Sequence, residues 1–280
     1  MSAVVEAPVA QGRGRTIEEL TATVSASRIG CWQQCRLKFY FRYVLSIPKR
    51  ATPAFHIGKV VHTILQAWNM ARWRGQAFNS ELFKTLFENE WKERQARSAI
   101  QWDGEEDEQR TNSWTLLQTY FAQTPIGANE RPEAVEVPVE ADLPGGLPKL
   151  VGIIDLVRAG GRIVDFKTTA KTPDAEMVGH IHETQLSSYA TLYRDATGKR
   201  ESAIELHHLV KLKTPKLVVT PLGPMTDTQQ VRLFRSVESY LEGLARRDFV
   251  PSPGLHCSSC EYFNDCRCRN GKEGECQIGA

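Results

Sequence analysis

Gly152-Ile-Ile-Asp155, followed by Asp165-Phe-Lys167, is the segment of this chain best equipped for chemistry. Residues 165 and 167 are two apart on an expected strand, so Asp165 and Lys167 project from the same face. If the flanking strands form a hairpin, setting Asp155 opposite Asp165 requires an odd-length loop such as Ala159-Gly160-Gly161. A loop of Gly160-Gly161 alone would send the two carboxylates to opposite faces. We expect the odd loop. Two carboxylates side by side in a half-buried sheet repel, at a cost of order several kcal/mol, unless a cation sits between them. Oxygen ligands select a hard ion, Mg²⁺ or Mn²⁺, which keeps several waters and completes its shell with phosphate oxygens. A lysine beside it can orient an attacking water or neutralise charge developing on phosphorus, so the assembled chemistry is phosphodiester hydrolysis. Taken alone, the same residues would also serve as an acidic hairpin with one surface ion pair.

The elements that must hold these groups are legible in the pattern of apolar residues. Residues 1 to about 20 lack periodicity and read as a mobile leader. From Ser25 or Ser27 as N-cap, Ile29, Trp32, Leu37, Tyr40 and Val44 recur at helical intervals up to Pro48 and Pro53. Further helices are expected near 57–73, 80–99 and 114–121, with Asp103 to Glu108 as a surface loop. Three strands follow, near Val135 to Val139, Leu150 to Val157 and Arg162 to Thr168, punctuated by Pro144-Gly145-Gly146 and Gly160-Gly161. Then come a helix over 175–195, strands over 204–212 and 217–221, and a helix over 227–247. The result is a mixed α/β core. Its expected organisation is a leader at 1–20, a helical region at 21–130, a catalytic core at 131–250 and a Cys-rich tail at 251–280.

G-x-x-D followed by D-x-K on the next strand resembles the PD-(D/E)XK nuclease superfamily, whose fold is a restriction-endonuclease-like mixed central sheet flanked by helices. Two further motifs resemble its RecB-like branch: Gly58-Lys-Val-Val-His62 matches G-x-x-x-H, and Gln185-Leu-Ser-Ser-Tyr189 matches Q-x-x-x-Y. Each pair is spaced i, i+4 and shares a helix face. The resemblance implies that His62, Asp155, Asp165 and the Phe166 carbonyl hold the metal. It further implies that Lys167 acts on the water or transition state, and that Gln185 and Tyr189 organise the site. Each residue also has a plainer role open to it, as helix packing or a satisfied histidine, but H, D, D-x-K and Q-x-x-x-Y occur in the family's order. Glu136 is similar to an upstream acidic position in some members and reads here as strand-surface charge.

Seven cysteines, five of them between Cys257 and Cys276, suit a metal site in a reducing compartment. Cys257-Ser-Ser-Cys260 and Cys266 call for a fourth thiolate, and Cys35 is the candidate, with Cys31 as competitor and Cys268 and Cys276 spare. This again is similar to RecB-like proteins of CRISPR adaptation and AddB-type recombination complexes. That similarity implies a structural [4Fe–4S] cluster on Cys35, Cys257, Cys260 and Cys266; the spacing alone also admits Zn²⁺.

The formal net charge is only +2 over 280 residues, so a polyanion partner needs a local argument. Residues 21 to 80 supply one: nine Lys and Arg, Arg28 and Arg42 among them, interleave with Trp32, Phe39, Tyr40, Phe41, Tyr43 and Phe55, with no Asp or Glu in the stretch. Cations and aromatic faces of this kind suit a single strand. No P-loop occurs, so the chain carries no motor. The expected substrate is single-stranded DNA, or ends and flaps that a recombination or helicase protein has opened. The competing class is a non-catalytic DNA-binding or assembly subunit that keeps the fold. With no apolar run near 20 residues and no signal sequence, a cytoplasmic protein without membrane contact is expected.

Overall fold

The computed structural model describes residues 14–49, 51–98 and 100–269. In chain order these form α1 (Ile17–Ala22), β1 (Thr23–Val24), α2 (Ala26–Gln34), α3 (Arg36–Phe39) with a π turn at Tyr40–Val44, α4 (Pro53–Trp73), α5 (Ser80–Arg97) and α6 (Glu106–Gln123). Strands β2 (Ala134–Ala141), β3 (Lys149–Arg158) and β4 (Arg162–Thr169) follow. The chain continues through α7 (Ala175–Ile181), α8 (Glu183–Thr197), β5 (Ala203–Val210), β6 (Lys216–Leu222), α9 (Asp227–Ala245), a 3₁₀ turn at Leu255–Ser259 and α10 (Phe263–Arg269). Among the described residues, those up to Lys49 together with those from Ser236 make one compact unit, and those between them, to Arg235, make the other.

Several boundaries differ from the sequence reading for local reasons. Thr16 and Glu19 form a reciprocal capping box, so helical order reaches into the stretch read as a leader, whose residues 1–13 lie outside the described ones. Ser25 caps α2 as expected, but the helix anticipated through Val44 is interrupted at Cys35, whose φ of −165° is extended. Pro53 opens α4 rather than closing the preceding element, since a proline is tolerated in the first turn. The acidic run expected as a loop is helical from Glu106, because Glu106, Asp107 and Glu108 favour the positive end of α6.

In the second of these units the strands run in the order β2-β3-β4-β5-β6. The pairings β2–β3, β3–β4 and β5–β6 are antiparallel, and β4–β5 is parallel across the α7–α8 crossover. This is the mixed sheet flanked by helices that the sequence pattern implied. One core joins Val135, Leu156, Val164, Phe166 and Leu209 of the sheet to Ile57, Val61, Leu65, Phe87, Trp91, Leu117 and Tyr120 of α4, α5 and α6. At the far end of the sheet Glu205 accepts from Arg158 at 2.9 Å and from Arg162 at 3.0 Å, tying β5 to β3 and β4. Each residue that alternates with the core-facing ones on β4, Asp165 and Lys167, is turned toward α8.

The β3–β4 register, Leu156 to Val164 and Arg158 to Arg162, makes the loop Ala159-Gly160-Gly161, the odd length anticipated, and its parity puts Asp155 and Asp165 next beyond the last pair, on one face. Gly160 and Gly161 have φ of +77° and +70°, and their N–H groups donate to Glu133 Oε1. Gly160→Ala should therefore cost about 1 kcal/mol, the penalty of an L-residue in left-handed backbone. Gly161→Ala should cost more, because its Cβ would lie 2.4 Å from the Tyr193 hydroxyl, whose ring is buried. Urea denaturation of the two variants checks the order; equal costs would show that Tyr193 moves freely.

Candidate active site

Three elements bring the acidic groups together. β2 carries Glu136, β3 carries Asp155, and α4 brings His62. Val135 pairs with Leu156 and Val137 with Ile154, so Glu136 sits opposite Asp155 and the two leave the ladder between those pairs. Glu136 has a left-handed backbone, φ +48°, a strained state for a non-glycine residue and one that concentrates at functional positions. One ligand atom from each of His62, Glu136 and Asp155 lies within 4.8 Å of the other two.

Asp155 and Asp165 are 8% and 1% exposed. Burial raises the pKa of both. The Phe166 N–H donates to Asp155 Oδ2 at 3.0 Å and, with the charges of Lys167 and Lys59, draws Asp155 back down. For Asp165 the opposing pull comes from Lys167, while Asp155 adds to the rise. Glu136 is pushed up to about 7 by burial and then by Asp155. Burial holds His62 below its ordinary value, with Asp165 and the Phe166 backbone pulling the other way. His62 Nδ1 stands 3.7 Å from Asp155 Oδ2, and the lowered pKa favours the uncharged ring that a metal ligand needs.

A second network surrounds Asp165. Gln185 Nε2 donates to Asp165 Oδ1 and to the Tyr189 hydroxyl, both at 2.9 Å, and Gln185 Oε1 accepts from Lys167 Nζ at 2.8 Å. Lys167 Nζ lies 2.7 Å from Asp165 Oδ2. That contact is a close ion pair, which draws the buried carboxyl down against the rise that burial causes. α8 reaches these groups because it passes close over β3: a Cβ at Gly152 would lie 2.7 Å from Leu192 Cδ1. Burial raises Tyr189 well above its ordinary value, so it stays a neutral phenol.

The donor set fits a hard divalent cation. Two mutually repelling carboxylates with an imidazole beside them are an arrangement that a cation relieves. Glu136 is the residue the sequence reading set aside. It looked like surface charge, but its opposition to Asp155 and its left-handed backbone turn it inward. Asp165 lies outside the triad of His62, Glu136 and Asp155, engaged by Lys167 and Gln185.

The expected strand-binding cations resolve differently. Arg28 is 5% exposed and donates to Thr23 Oγ1 at 2.8 Å and to the Leu20 carbonyl at 3.4 Å, so it braces the fold rather than facing a ligand. Trp32, Phe39 and Phe41 are buried. Arg36 pairs with Asp248, Lys38 with Glu261, and Arg42 lies over the Tyr43 ring. Arg72 donates to the Gly127 and Glu130 carbonyls, both at 2.7 Å. Of the nine, Lys59 is the one whose charge acts on Glu136, Asp155 and His62, and Arg50 lies outside the described residues.

In the other unit Cys35, Cys257, Cys260 and Cys266 line one cavity of about 300 Å³, with Leu37, Phe41 and Tyr262. Cys35 Sγ accepts from the Lys38 N–H at 3.4 Å. Burial raises the Cys266 thiol, and Cys35, Cys260 and Cys257 raise it further, the repulsion of thiolates that converge. Such a donor set suits a four-thiolate metal centre. Cys31, the expected competitor, is buried in α2, has a thiol pushed up to about 11 by burial, and does not line the cavity. Cys276 lies outside the described residues.

The fold and this site define a nuclease class. The profile of the PD-(D/E)XK nuclease superfamily matches residues 23–267, and the chain belongs to that superfamily, whose members are metal-dependent nucleases. No curated protein matches the sequence. Among solved structures, one from Eubacterium rectale described as "Putative exonuclease" shares 16% identity at a TM-score of 0.58, covering 100% of this chain and 97% of its own. A second, described as SSO0001, is more distant, at 13% identity and a TM-score of 0.40 over 90% of this chain and 92% of its own. Among the described residues, no helix is long and apolar enough to cross a membrane.

Glu136→Gln should raise the melting temperature of the metal-free protein by removing repulsion, and should shrink the further rise that Mn²⁺ produces. Saturation to a hundred times Kd is worth about 2.7 kcal/mol, several degrees in a chain of this size. A full Mn²⁺ response in Glu136→Gln would place Glu136 outside the metal site.

Proposed function

We propose that this protein is a metal-dependent deoxyribonuclease of the RecB-like branch, acting on single-stranded DNA as an exonuclease, with flaps as a further substrate. The observation that carries the reading is the convergence of His62, Glu136 and Asp155 beside the bonded set of Asp165, Lys167, Gln185 and Tyr189. Its alternative, an assembly subunit without turnover, would be expected to have lost part of D, D-x-K, and these residues are all present.

His62, Glu136, Asp155, Asp165 and the Phe166 carbonyl would hold Mg²⁺ or Mn²⁺. When bound, such an ion supplies Lewis-acid polarisation of the phosphoryl oxygen and a more acidic water. Lys167, held at one end by Asp165 and Gln185, directs its ammonium to the negative charge that grows on phosphorus as the water oxygen bonds and the ester oxygen leaves. Gln185 and Tyr189 are positioning residues that keep the ammonium in place. With no P-loop in the chain, the substrate is a strand already open, or one opened by a helicase or a recombination or CRISPR-adaptation partner. Thiols that converge without oxidation suit the cytoplasm. Cys35, Cys257, Cys260 and Cys266 would hold a [4Fe–4S] cluster whose closed coordination makes it a structural staple, with Zn²⁺ as the other group the thiolates accept.

Asp165→Ala and Lys167→Ala should each abolish Mn²⁺-dependent degradation of end-labelled single-stranded DNA while leaving strand binding within a few-fold. Undiminished degradation would remove the catalytic assignment, and digestion from either labelled end reads polarity. The purified protein should be brown, and Cys257→Ala should lose both the visible absorption and several degrees of melting temperature. A colourless protein with stoichiometric zinc would replace the iron–sulfur assignment.

A further inference from the structure

His182 and His208 take no part in the site as described above. The parallel register sets His208 beside Lys167, so the two side chains share the face toward α8. His207, one residue earlier, points the other way with both ring nitrogens engaged, Nδ1 with the Tyr120 hydroxyl and Nε2 with Glu205, each at 3.0 Å. His208 contrasts with it. The residue is 3% exposed, yet its buried Nδ1 has no hydrogen-bond partner. Half-buried His182, which opens α8, sets its ring 6.2 Å from that of His208.

Both rings feel Lys167. Burial first, then the ammonium and the other imidazole, hold His182 down to about 4, and burial and Lys167 also depress His208. No carboxylate figures among the groups that act on either ring. Lys167 is paired with Asp165, but neither imidazole has an acid acting on it, and the unpaired buried Nδ1 of His208 forfeits a hydrogen bond. Two imidazoles beside an ammonium suit an anion, which accepts from imidazole N–H groups and from the ammonium. A cation is disfavoured there by the same ammonium.

We propose that His182 and His208, with Lys167 beside them, form a phosphate subsite that takes the phosphate neighbouring the one being cut. The inference rests on the nuclease reading, and names the contact that seats the strand. The two histidines are positioning residues: they hold the flanking phosphate so that the scissile one meets Lys167.

Two measurements on the intact protein test this. Inorganic phosphate should shift the imidazole NMR resonances of His182 and His208, and His182→Ala should weaken that response. In steady-state hydrolysis of single-stranded DNA with Mn²⁺, His182→Ala should raise KM about tenfold with kcat changed less than about threefold, the loss expected of one hydrogen bond to a charged group. A penalty confined to strands with a terminal phosphate would identify that monoester as the occupant; an equal penalty on strands ending in hydroxyl would identify an internal diester. His208→Gln, which keeps an N–H donor, should be milder than His208→Ala; if neither folds, His182→Ala at its half-buried position still decides. Unmoved resonances, or shifts accompanied by an unchanged KM in folded His182→Ala, would overturn the subsite. Phosphate-induced shifts in a protein that cuts no strand would instead remove the nuclease reading and leave the subsite standing.

Discussion

Buried like charge is the constraint from which the rest of this structure follows. Asp155, Asp165 and Glu136 are drawn from three strands into a space with little water, where Asp165 alone has a close cationic partner, Lys167. Burial favours their protonated forms, and the polypeptide answers with fixed dipoles and charges: the Phe166 N–H on Asp155, the Gln185 amide on Asp165, and the ammonium groups of Lys167 and Lys59. These contributions compensate only in part. Glu136 remains near 7, and Asp165 is still raised, to about 6, despite Lys167. A site left short of positive charge in this way is preorganised for a cation and for the anion that accompanies it.

The elements around the site serve that arrangement. The tight β3–β4 hairpin sets Asp155 against Asp165, and the two residues lie beyond the last hydrogen-bonded pair, Leu156 with Val164. Asp155 thus has its side chain free to accept from the next strand's backbone. The large apolar cluster behind β4, with Phe166 packed edge-on to Tyr120 and His207, holds the strand firmly while its polar residues face α8. Rigid backing of this kind is what keeps a charged constellation from collapsing into surface ion pairs.

What could be read from sequence was what depends on period and parity. D-x-K on one face follows from strand alternation. The odd loop follows from the requirement that two acids meet, and i, i+4 spacing put Gln185 and Tyr189 on one side of α8. What could not be read depends on backbone states and burial that local pattern does not encode. Glu136 alternates like any surface strand residue, and its meeting with Asp155 comes from the β2–β3 register together with its left-handed φ of +48°. Arg28 looks like a phosphate contact until its guanidinium is found capping the Leu20 carbonyl. The break at Cys35 is invisible to helical periodicity, because the apolar residues on either side keep their spacing through it.

The role of Gln185 shows why this network tolerates few substitutions. Its amide makes three hydrogen bonds of two senses: two donated from Nε2, to Asp165 and Tyr189, and one accepted at Oε1 from Lys167. Rotating the amide by a half-turn would face its oxygen to the Asp165 carboxylate and its NH₂ to an ammonium, so the orientation is dictated by the neighbours on both sides. A glutamate there would pair well with Lys167 but add a fourth negative charge beside Asp165. A lysine or arginine would satisfy Asp165 while repelling Lys167. An amide is the one side-chain chemistry that donates to the acid and accepts from the base at once, and the Tyr189 hydroxyl, kept neutral by burial, takes its second N–H without adding charge. Lys167 is thereby held in place by a group that leaves its positive charge undiminished for whatever negative charge arrives in the cavity.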